Sequence, residues 1–165
     1  MIIRPEKPAD IAAINEVVTA AFGRRQEADL VTRLRSDGDL VLSLVADNDG
    51  VIAGHVAFSR LWIERDGVRG PGISLAPVSV LPAQQRKGTA RALIGAGHLR
   101  LKTLGETIVF VLGDPDYYKR FGFSHEMAQA FACIYQGDHL QVLRLSPDAP
   151  AAGEVIYAAA FAELD

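Results

Sequence analysis

Hydrophobic residues in the first forty positions recur mainly at helical spacing. Residues 1–4 indicate a short edge strand that a proline ends. Within 11–21, apolar residues return every three or four positions, with Asp10 placed to cap a helix and Gly23 to end it. A weaker apolar stripe predicts a second helix over residues 27–35.

The next segment has the pattern of antiparallel strands. Two strand-like runs, 40–46 and 51–63, are separated by the turn sequence Asp-Asn-Asp-Gly at 47–50, which is typical of a hairpin. Gly54, inside the second run, marks either a bulge or a close contact. A third apolar run, 73–81, ends at a proline and predicts a further strand.

The second half of the chain returns to a helical period and then to strands. The pattern predicts a long helix from Gly88 to Leu104, followed by Gly105 as its C-cap. Residues 107–112 are apolar without alternation, as expected for a strand buried on both faces. Residues 115–120 predict a short helical turn, and the remainder through Arg144 predicts more strand.

This order of elements predicts a single domain over residues 1–165, of the α/β or α+β class, with a mixed sheet. The C-terminal segment 146–165 is expected to add a strand or to cover a sheet edge. Its apolar residues 153–161 fit a helix and a strand equally well. The stretch 155–161 is expected either to cover an edge or to form a homodimer contact.

Composition narrows the class of protein. The chain has 165 residues, 49% hydrophobic and 22% charged, which suits a globular core and excludes general disorder. A formal net charge of −3 lacks the basic character of nucleic-acid binders, so no nucleic-acid partner is expected. Cys133 is the single cysteine, which excludes an intramolecular disulfide. No apolar run has the length of a signal peptide or membrane span, so we expect a cytoplasmic protein without a membrane partner.

The clearest chemistry lies where the third strand leads into the long helix. The first turn of a helix exposes unpaired N–H groups at its positive dipole end, an arrangement that binds phosphate. Neither a nucleotide P-loop nor a dinucleotide fingerprint is present. The segment therefore predicts either an anionic ligand or an ordinary helix start with a solvated basic loop. Its small residues are Gly88 and Ala90, and its cations are Arg86, Lys87 and Arg91.

A proline interrupts the strand just before this loop. Pro77 has no N–H to donate, so it indicates either a splay in a central strand or an ordinary edge strand. A splay would leave the backbone groups of Val78, Ser79 and Val80 available to a ligand.

Two motifs in these segments carry a family resemblance. Gln85-x-x-Gly88-x-Ala90, after a strand ending in residues 78–82, resembles the acetyl-CoA motif of the GNAT superfamily of N-acetyltransferases. The segment 113–123, with Tyr117-Tyr118 and Phe121-Gly122-Phe123, is similar to the family's second motif. The resemblance covers most of residues 1–145 and implies a mostly antiparallel sheet that splays into a V around the cofactor.

The resemblance also implies a reaction and its residues. The expected reaction is direct attack of a primary amine on the thioester of acetyl-CoA, through a tetrahedral intermediate and without a metal. Tyr118 stands at the position of the family's general acid. The cofactor-binding residues would be Val78, Ser79 and Val80 on the strand, with the backbone of the two valines pairing with pantetheine, and Gln85, Arg86, Lys87, Gly88, Thr89, Ala90 and Arg91 cradling the pyrophosphate.

The group that removes the amine's proton is not fixed by the sequence. Glu64, at the end of the second hairpin strand, is one candidate base, acting through water, and a water chain is the other. The histidines have no metal-ligand spacing and are expected to be structural or exposed. Two other activities stay open on the same fold: a non-catalytic acyl-CoA-binding or sensory module, and an acyltransferase for oxygen acceptors or longer acyl chains. The acceptor amine is unspecified.

Overall fold

The protein is described from a computed structural model over residues 1–164, and Asp165, the last residue of the predicted domain, lies outside the described residues. None of the helices in that range is both long and apolar enough to cross a membrane. The α-helices are α1 (Ile11–Phe22), α2 (Gln26–Asp37), α3 (Thr89–Thr103), α4 (Pro115–Tyr118) and α5 (His125–Ala128). The strands are β1 (Ile2–Pro5), β2 (Leu40–Asn48), β3 (Val51–Arg65), β4 (Val68–Val80), β5 (Ile108–Leu112), β6 (Phe131–Ala132), β7 (Leu140–Arg144) and β8 (Gly153–Ile156).

The strands form one mixed sheet with the order β1-β2-β3-β4-β5-β7, and β8 pairs with both β3 and β6. The pairs β1/β2, β2/β3, β3/β8 and β5/β7 are antiparallel. The pairs β4/β5 and β6/β8 are parallel. The predicted α/β fold with a mixed, mostly antiparallel sheet and flanking helices is therefore confirmed.

The chain divides into two compact units that share the long strands β3 and β4. Unit 1 comprises Met1–Ser59, Ala76–Leu99 and the segment from Ala158 onward. Unit 2 comprises Arg60–Leu75 and Arg100–Tyr157.

In unit 1, helices α1 and α2 cover one face of the first strands. The apolar stripe of α1 is buried, and Gly23 ends the helix in the left-handed region at φ +69°. Asp10 precedes α1 as predicted, but its carboxylate makes no side-chain cap bond to that helix. It accepts instead from the Lys7 N–H at 2.7 Å and from Arg4 Nη1 at 2.8 Å.

Glycines let α3 pack closely on β3 in unit 1. A Cβ on Gly97 would lie 2.3 Å from the ring of Phe58. A Cβ on Gly54 would lie 3.0 Å from Thr89 Cγ2, and the β2/β3 register shifts beside that glycine. Gly54 therefore marks both a bulge and a close contact, the two outcomes that the sequence left open.

In unit 2, the sequence prediction is wrong for part of the segment between Phe123 and Arg144. That segment was expected to be strand, but it contains α5 and the two-residue strand β6 before β7. Ser124 caps α5 by accepting from the Met127 N–H at 3.0 Å. The amide of Gln136 then donates to the carbonyl oxygens of Ala128 and Phe131 at 3.0 and 2.7 Å. These polar contacts fix a loop that carries no hydrophobic period.

The C-terminal segment contributes to both units. β8 pairs with the last part of β3, with Ile63 opposite Val155, and so covers that edge. A 3-10 helix, Ala159–Glu163, follows in unit 1. The sequence 153–161 thus contains first a strand and then a helical turn.

A chain of polar contacts links Glu6, which follows β1, to α2, β2 and β3 in unit 1. Arg35 donates to both carboxylate oxygens of Glu6 at 2.9 Å, and Glu6 also accepts from the hydroxyl of Ser43. The hydroxyl of Ser43 lies 2.8 Å from Nε2 of His55, which is fully buried. Since the single hydroxyl proton of Ser43 goes to Glu6, Nε2 of neutral His55 is the donor to Ser43.

Burial lowers the pKa of His55 from 6.5 to about 4, which makes the stability of the protein depend on pH. Unfolded His55 takes up a proton below about pH 6.5, but the folded residue does so only near pH 4. The free energy of unfolding therefore falls as the pH drops through this window, by about 2 kcal/mol between pH 7 and 4.5 from His55 alone.

Urea unfolding of wild type and His55→Gln at several pH values tests this expectation. Burial also lowers the pKa of the half-buried His98 to about 4, so wild type retains a second contribution of the same sign. The difference between the two proteins isolates His55. Identical pH dependence in both would contradict the assignment.

Candidate functional site

At its end, in unit 1, β4 extends beyond its pairing with β5, so one side of the strand has backbone groups that could bind a ligand. Its pairing with β5 covers only Ile73–Leu75, and β4 continues through Val80. The Leu81 N–H donates to the Ala53 carbonyl of β3 at 2.9 Å. Because backbone groups of successive strand residues point to alternate sides, those of Val80 and Val78 point away from β3.

Two side chains complete this strand end. Gln85 donates from Nε2 to the carbonyl of Val80 at 3.1 Å, so the loop is hydrogen-bonded to the strand. The N–H of Val80 is then the backbone group of this residue that could bind a ligand. Ser79 is 2% exposed, and its hydroxyl has no hydrogen-bond partner within the described residues. The structure thus brings the predicted residues of β4 and of the loop together within unit 1.

The loop after β4 has a backbone shape that depends on a glycine. A 3-10 turn, Pro82–Gln84, is followed by Arg86 at φ +65° and Gly88 at φ +82°. The Ala92 N–H donates to the Gly88 carbonyl at 3.0 Å, as the first bond of α3. The N–H groups of the three preceding residues have no intrahelical acceptor, because they form the first turn.

The side chains of this loop separate into two sets. Thr89 is buried, and its hydroxyl donates to the sulfur of Met1 at 3.7 Å, which leaves its backbone N–H as the group that it contributes to the helix N-terminus. Arg86, Lys87 and Arg91 are exposed. Three cations therefore surround a helix N-terminus with unpaired N–H groups, which is a favourable environment for a phosphate or pyrophosphate.

Tyr118, the predicted general acid, lies in unit 2 at the end of α4. Asp114 caps this helix by accepting from the Asp116 N–H at 3.0 Å, and its carbonyl accepts from the Tyr118 N–H at 3.0 Å. The Tyr118 side chain is 9% exposed, and its ring is 5.7 Å from that of Phe123 and 5.0 Å from that of Tyr117. These aromatic contacts hold the ring in place and do not depend on the hydroxyl.

Burial raises the pKa of Tyr118 to about 12, with a smaller contribution from Tyr117. An unperturbed tyrosine near 10 would lie about 1.5 units above a thiol near 8.5, but Tyr118 lies about 3.5 units above it. Transfer of its proton to a free thiolate is then uphill by about 5 kcal/mol. This free-energy cost is smaller than the activation free energy of about 16 kcal/mol that corresponds to a turnover of about 10 per second.

Glu64 and Tyr118 lie at opposite ends of the unit 2 strands. Glu64 is next to the β3–β4 turn and accepts from Arg69 Nη2 at 3.0 Å. β4 runs parallel to β5 from this turn, so Glu64 is at the end where β5 begins, whereas Tyr118 follows the end of β5. The structure therefore does not bring these two predicted catalytic residues together. Within residues 1–164, no group of three or more His, Cys, Asp or Glu side chains is placed to hold a metal ion.

Two residues beside Tyr118 have roles that the sequence did not indicate, although Gly113 lies within the second motif. A Cβ on Gly113 would lie 2.4 Å from Tyr118 Cε2, so the ring rests on the bare α-carbon of this glycine. Gln141 on β7 is 1% exposed and donates from Nε2 to the Gly113 carbonyl at 3.1 Å. The sequence signal for Gln141 is that it is a polar residue among the apolar residues 140–143.

The amino-acid sequence matches the family model of the acetyltransferase (GNAT) domain over residues 2–125. The chain belongs to the GNAT family of acetyltransferases, and the resemblance given by the two motifs is confirmed.

Relatives of known structure have the same fold over almost the whole chain. Sequence comparison gives 38% identity over 152 residues to the N-acetyltransferase YhbS of Escherichia coli K12, described as uncharacterized, covering 90% of each chain. The crystal structure of YhbS in complex with CoA has a TM-score of 0.90 at 35% identity, covering 99% of this chain and 93% of that one. A GNAT family acetyltransferase from Brucella melitensis in complex with acetyl-CoA has a TM-score of 0.82 at 39% identity, covering 97% of both.

Proposed function

We propose that residues 1–165 act as one acetyltransferase domain that transfers the acetyl group of acetyl-CoA to a primary amine. The observation that carries the proposal is the loop before α3, where exposed cations surround the unpaired N–H groups of a helix N-terminus. Such a site suits the pyrophosphate of CoA. The acetyl-CoA complex of the Brucella relative supports the same ligand.

In the proposed complex, the first turn of α3 and the cations Arg86, Lys87 and Arg91 hold the pyrophosphate. The pantetheine arm pairs with the outward-facing backbone of Val78 and Val80, in the way that a neighbouring strand would. Ser79 is 2% exposed and its hydroxyl is enclosed by protein, so we assign the pairing with pantetheine to the backbone of its two neighbours.

The reaction proceeds by direct attack. The ammonium first loses a proton to water, which we favour over Glu64 because that residue lies near the start of β5 and Tyr118 after its end. The amine nitrogen then forms a bond to the thioester carbon, and backbone N–H groups of the β4 end stabilise the resulting oxyanion. When the carbon–sulfur bond breaks, the sulfur takes the proton of the Tyr118 hydroxyl, and the phenolate regains a proton from solvent.

This mechanism predicts the pH dependence of the rate. The free amine is the reactive form, so log kcat/KM should rise with a slope of about one up to the amine pKa, near 10.4 for a lysine-like acceptor. Tyr118 should add no descending limb in this range, because its pKa is about 12. Initial rates between pH 6 and 10 test this. A descending limb that begins below pH 9 and reports a group of the free enzyme would contradict the assignment.

The function is tested by supplying acetyl-CoA with a library of primary amines and following the release of free thiol. An acetyltransferase releases CoA in an amine-dependent reaction, whereas a sensory module binds acetyl-CoA and releases none. The Gly88→Glu variant, which should bind the cofactor much more weakly, serves as the control for thiol release that does not depend on the site.

A further inference from the structure

Gln141 is a buried polar residue between two buried apolar residues of β7, Leu140 and Val142. It lies on β7 opposite Val111 of β5, and only 1% of it is exposed. A buried amide is unfavourable unless it is hydrogen-bonded. The Nε2 atom of Gln141 donates to the carbonyl oxygens of Gly113, at 3.1 Å, and of His139, at 3.4 Å.

These contacts fix the backbone immediately after β5. The Gly113 N–H donates to the His139 carbonyl at 3.0 Å, and the Gly113 carbonyl accepts from Gln141. Both backbone groups of Gly113 are thus attached to β7 and the residue before it. The peptide groups on either side of Gly113 are therefore each held by a hydrogen bond, and turning either group would break its bond.

The ring of Tyr118 depends on that backbone in two ways. It rests on the α-carbon of Gly113, where a Cβ would come within 2.4 Å of Cε2. The backbone N–H of Tyr118 donates to the carbonyl of Asp114, the residue after Gly113, at 3.0 Å. A shift of the 113–114 backbone would therefore move the tyrosine ring and its hydroxyl together.

We propose that Gln141 is a positioning residue for Tyr118: its amide holds the Gly113 carbonyl and thereby places the phenol that protonates the leaving thiolate. This inference rests on the proposed function, in which Tyr118 is the general acid. Since proton transfer requires a correctly placed donor, a small displacement of the hydroxyl lowers kcat without weakening cofactor binding.

A double-mutant cycle tests the proposal. Gln141→Met removes the amide and keeps the length of the side chain, and Gln141→Leu replaces it if the methionine variant unfolds. We expect kcat to fall about tenfold in the wild-type background, with the KM for acetyl-CoA within about twofold. In the Tyr118→Phe background the same substitution should change kcat by less than about twofold, because no hydroxyl remains to be positioned.

A matched control comes from the next residue of the strand. Val142 is also buried on β7 but faces the other side, and Val142→Ala should lower the thermal unfolding midpoint with an equal, small effect on kcat in both backgrounds. Equal effects of the Gln141 substitution in both backgrounds would overturn the proposal, as would an unchanged kcat in the wild-type background. An unchanged kcat in Tyr118→Phe alone would instead refute the general acid, and this inference with it.

Discussion

Tyr118→Phe is expected to lower kcat at least about 100-fold while leaving the affinity for acetyl-CoA nearly unchanged. The substitution retains the ring, which packs against Phe123 and rests on Gly113, and it removes only the hydroxyl. The thiolate must then leave without a positioned proton donor. Steady-state kinetics with an identified amine, together with calorimetric titration of CoA, separate the two quantities.

Tyr117→Phe is the matched control for that variant. Tyr117 is adjacent in the same helix, and the guanidinium of Arg120 lies 4.8 Å from the centre of its ring. Loss of its hydroxyl should change kcat by less than about threefold. A turnover of Tyr118→Phe within about twofold of wild type would show that Tyr118 is a packing residue, and a thiolate that leaves without a protein acid would then be the better mechanism.

Gly88→Glu is expected to weaken the binding of acetyl-CoA at least about 100-fold. A Cβ at this position meets no atom within 4 Å, so crowding within the protein is not the reason. The backbone conformation at φ +82° is unfavourable for any L-residue, and the added carboxylate would oppose the phosphates of the proposed complex beside the helix N-terminus. Like charges in contact cost several kcal/mol, which corresponds to the expected loss.

Two further variants separate backbone strain from charge. Gly38→Glu places the same side chain on a glycine at φ +79° with similarly open surroundings, at the end of α2. It should lower stability but leave CoA affinity within about threefold of wild type. Gly88→Ala carries the strain without the charge and should fall between wild type and Gly88→Glu. An unchanged CoA affinity in folded Gly88→Glu would show that the cofactor does not bind at this loop.

The shape of the loop between β4 and α3 could be predicted from sequence because its determinants are local. A strand end, a turn with Gly88 and a helix start follow one another within about fifteen residues, and each has its own residue signal. The α3 stripe and the β2–β3 hairpin were predicted for the same reason. Their boundaries moved by a few residues, most of all for β4, which begins at Val68 rather than at Ile73.

Features that depend on long-range pairing could not be predicted. The contact of Gln141 with Gly113 exists only because β7 pairs with β5, and it joins residues 28 positions apart. The segment that contains α5 and β6 is fixed by the amide of Gln136 rather than by a hydrophobic period. Glu64 was considered as a base from its position in a strand, but the parallel pairing of β4 and β5 puts it at the far end from Tyr118.

The most direct test of the central claim is the stoichiometry of the products. Wild-type protein is incubated with acetyl-CoA and an amine from the library, and free CoA thiol and acetylated amine are quantified by mass spectrometry in the same samples. Acetyl transfer predicts one N-acetylated amine for each thiol released, and far less of both products with Gly88→Glu at an acetyl-CoA concentration near the wild-type KM. Release of thiol without acetylated amine, or tight binding of acetyl-CoA with no thiol released for any amine, would contradict the assignment of this chain as an amine acetyltransferase.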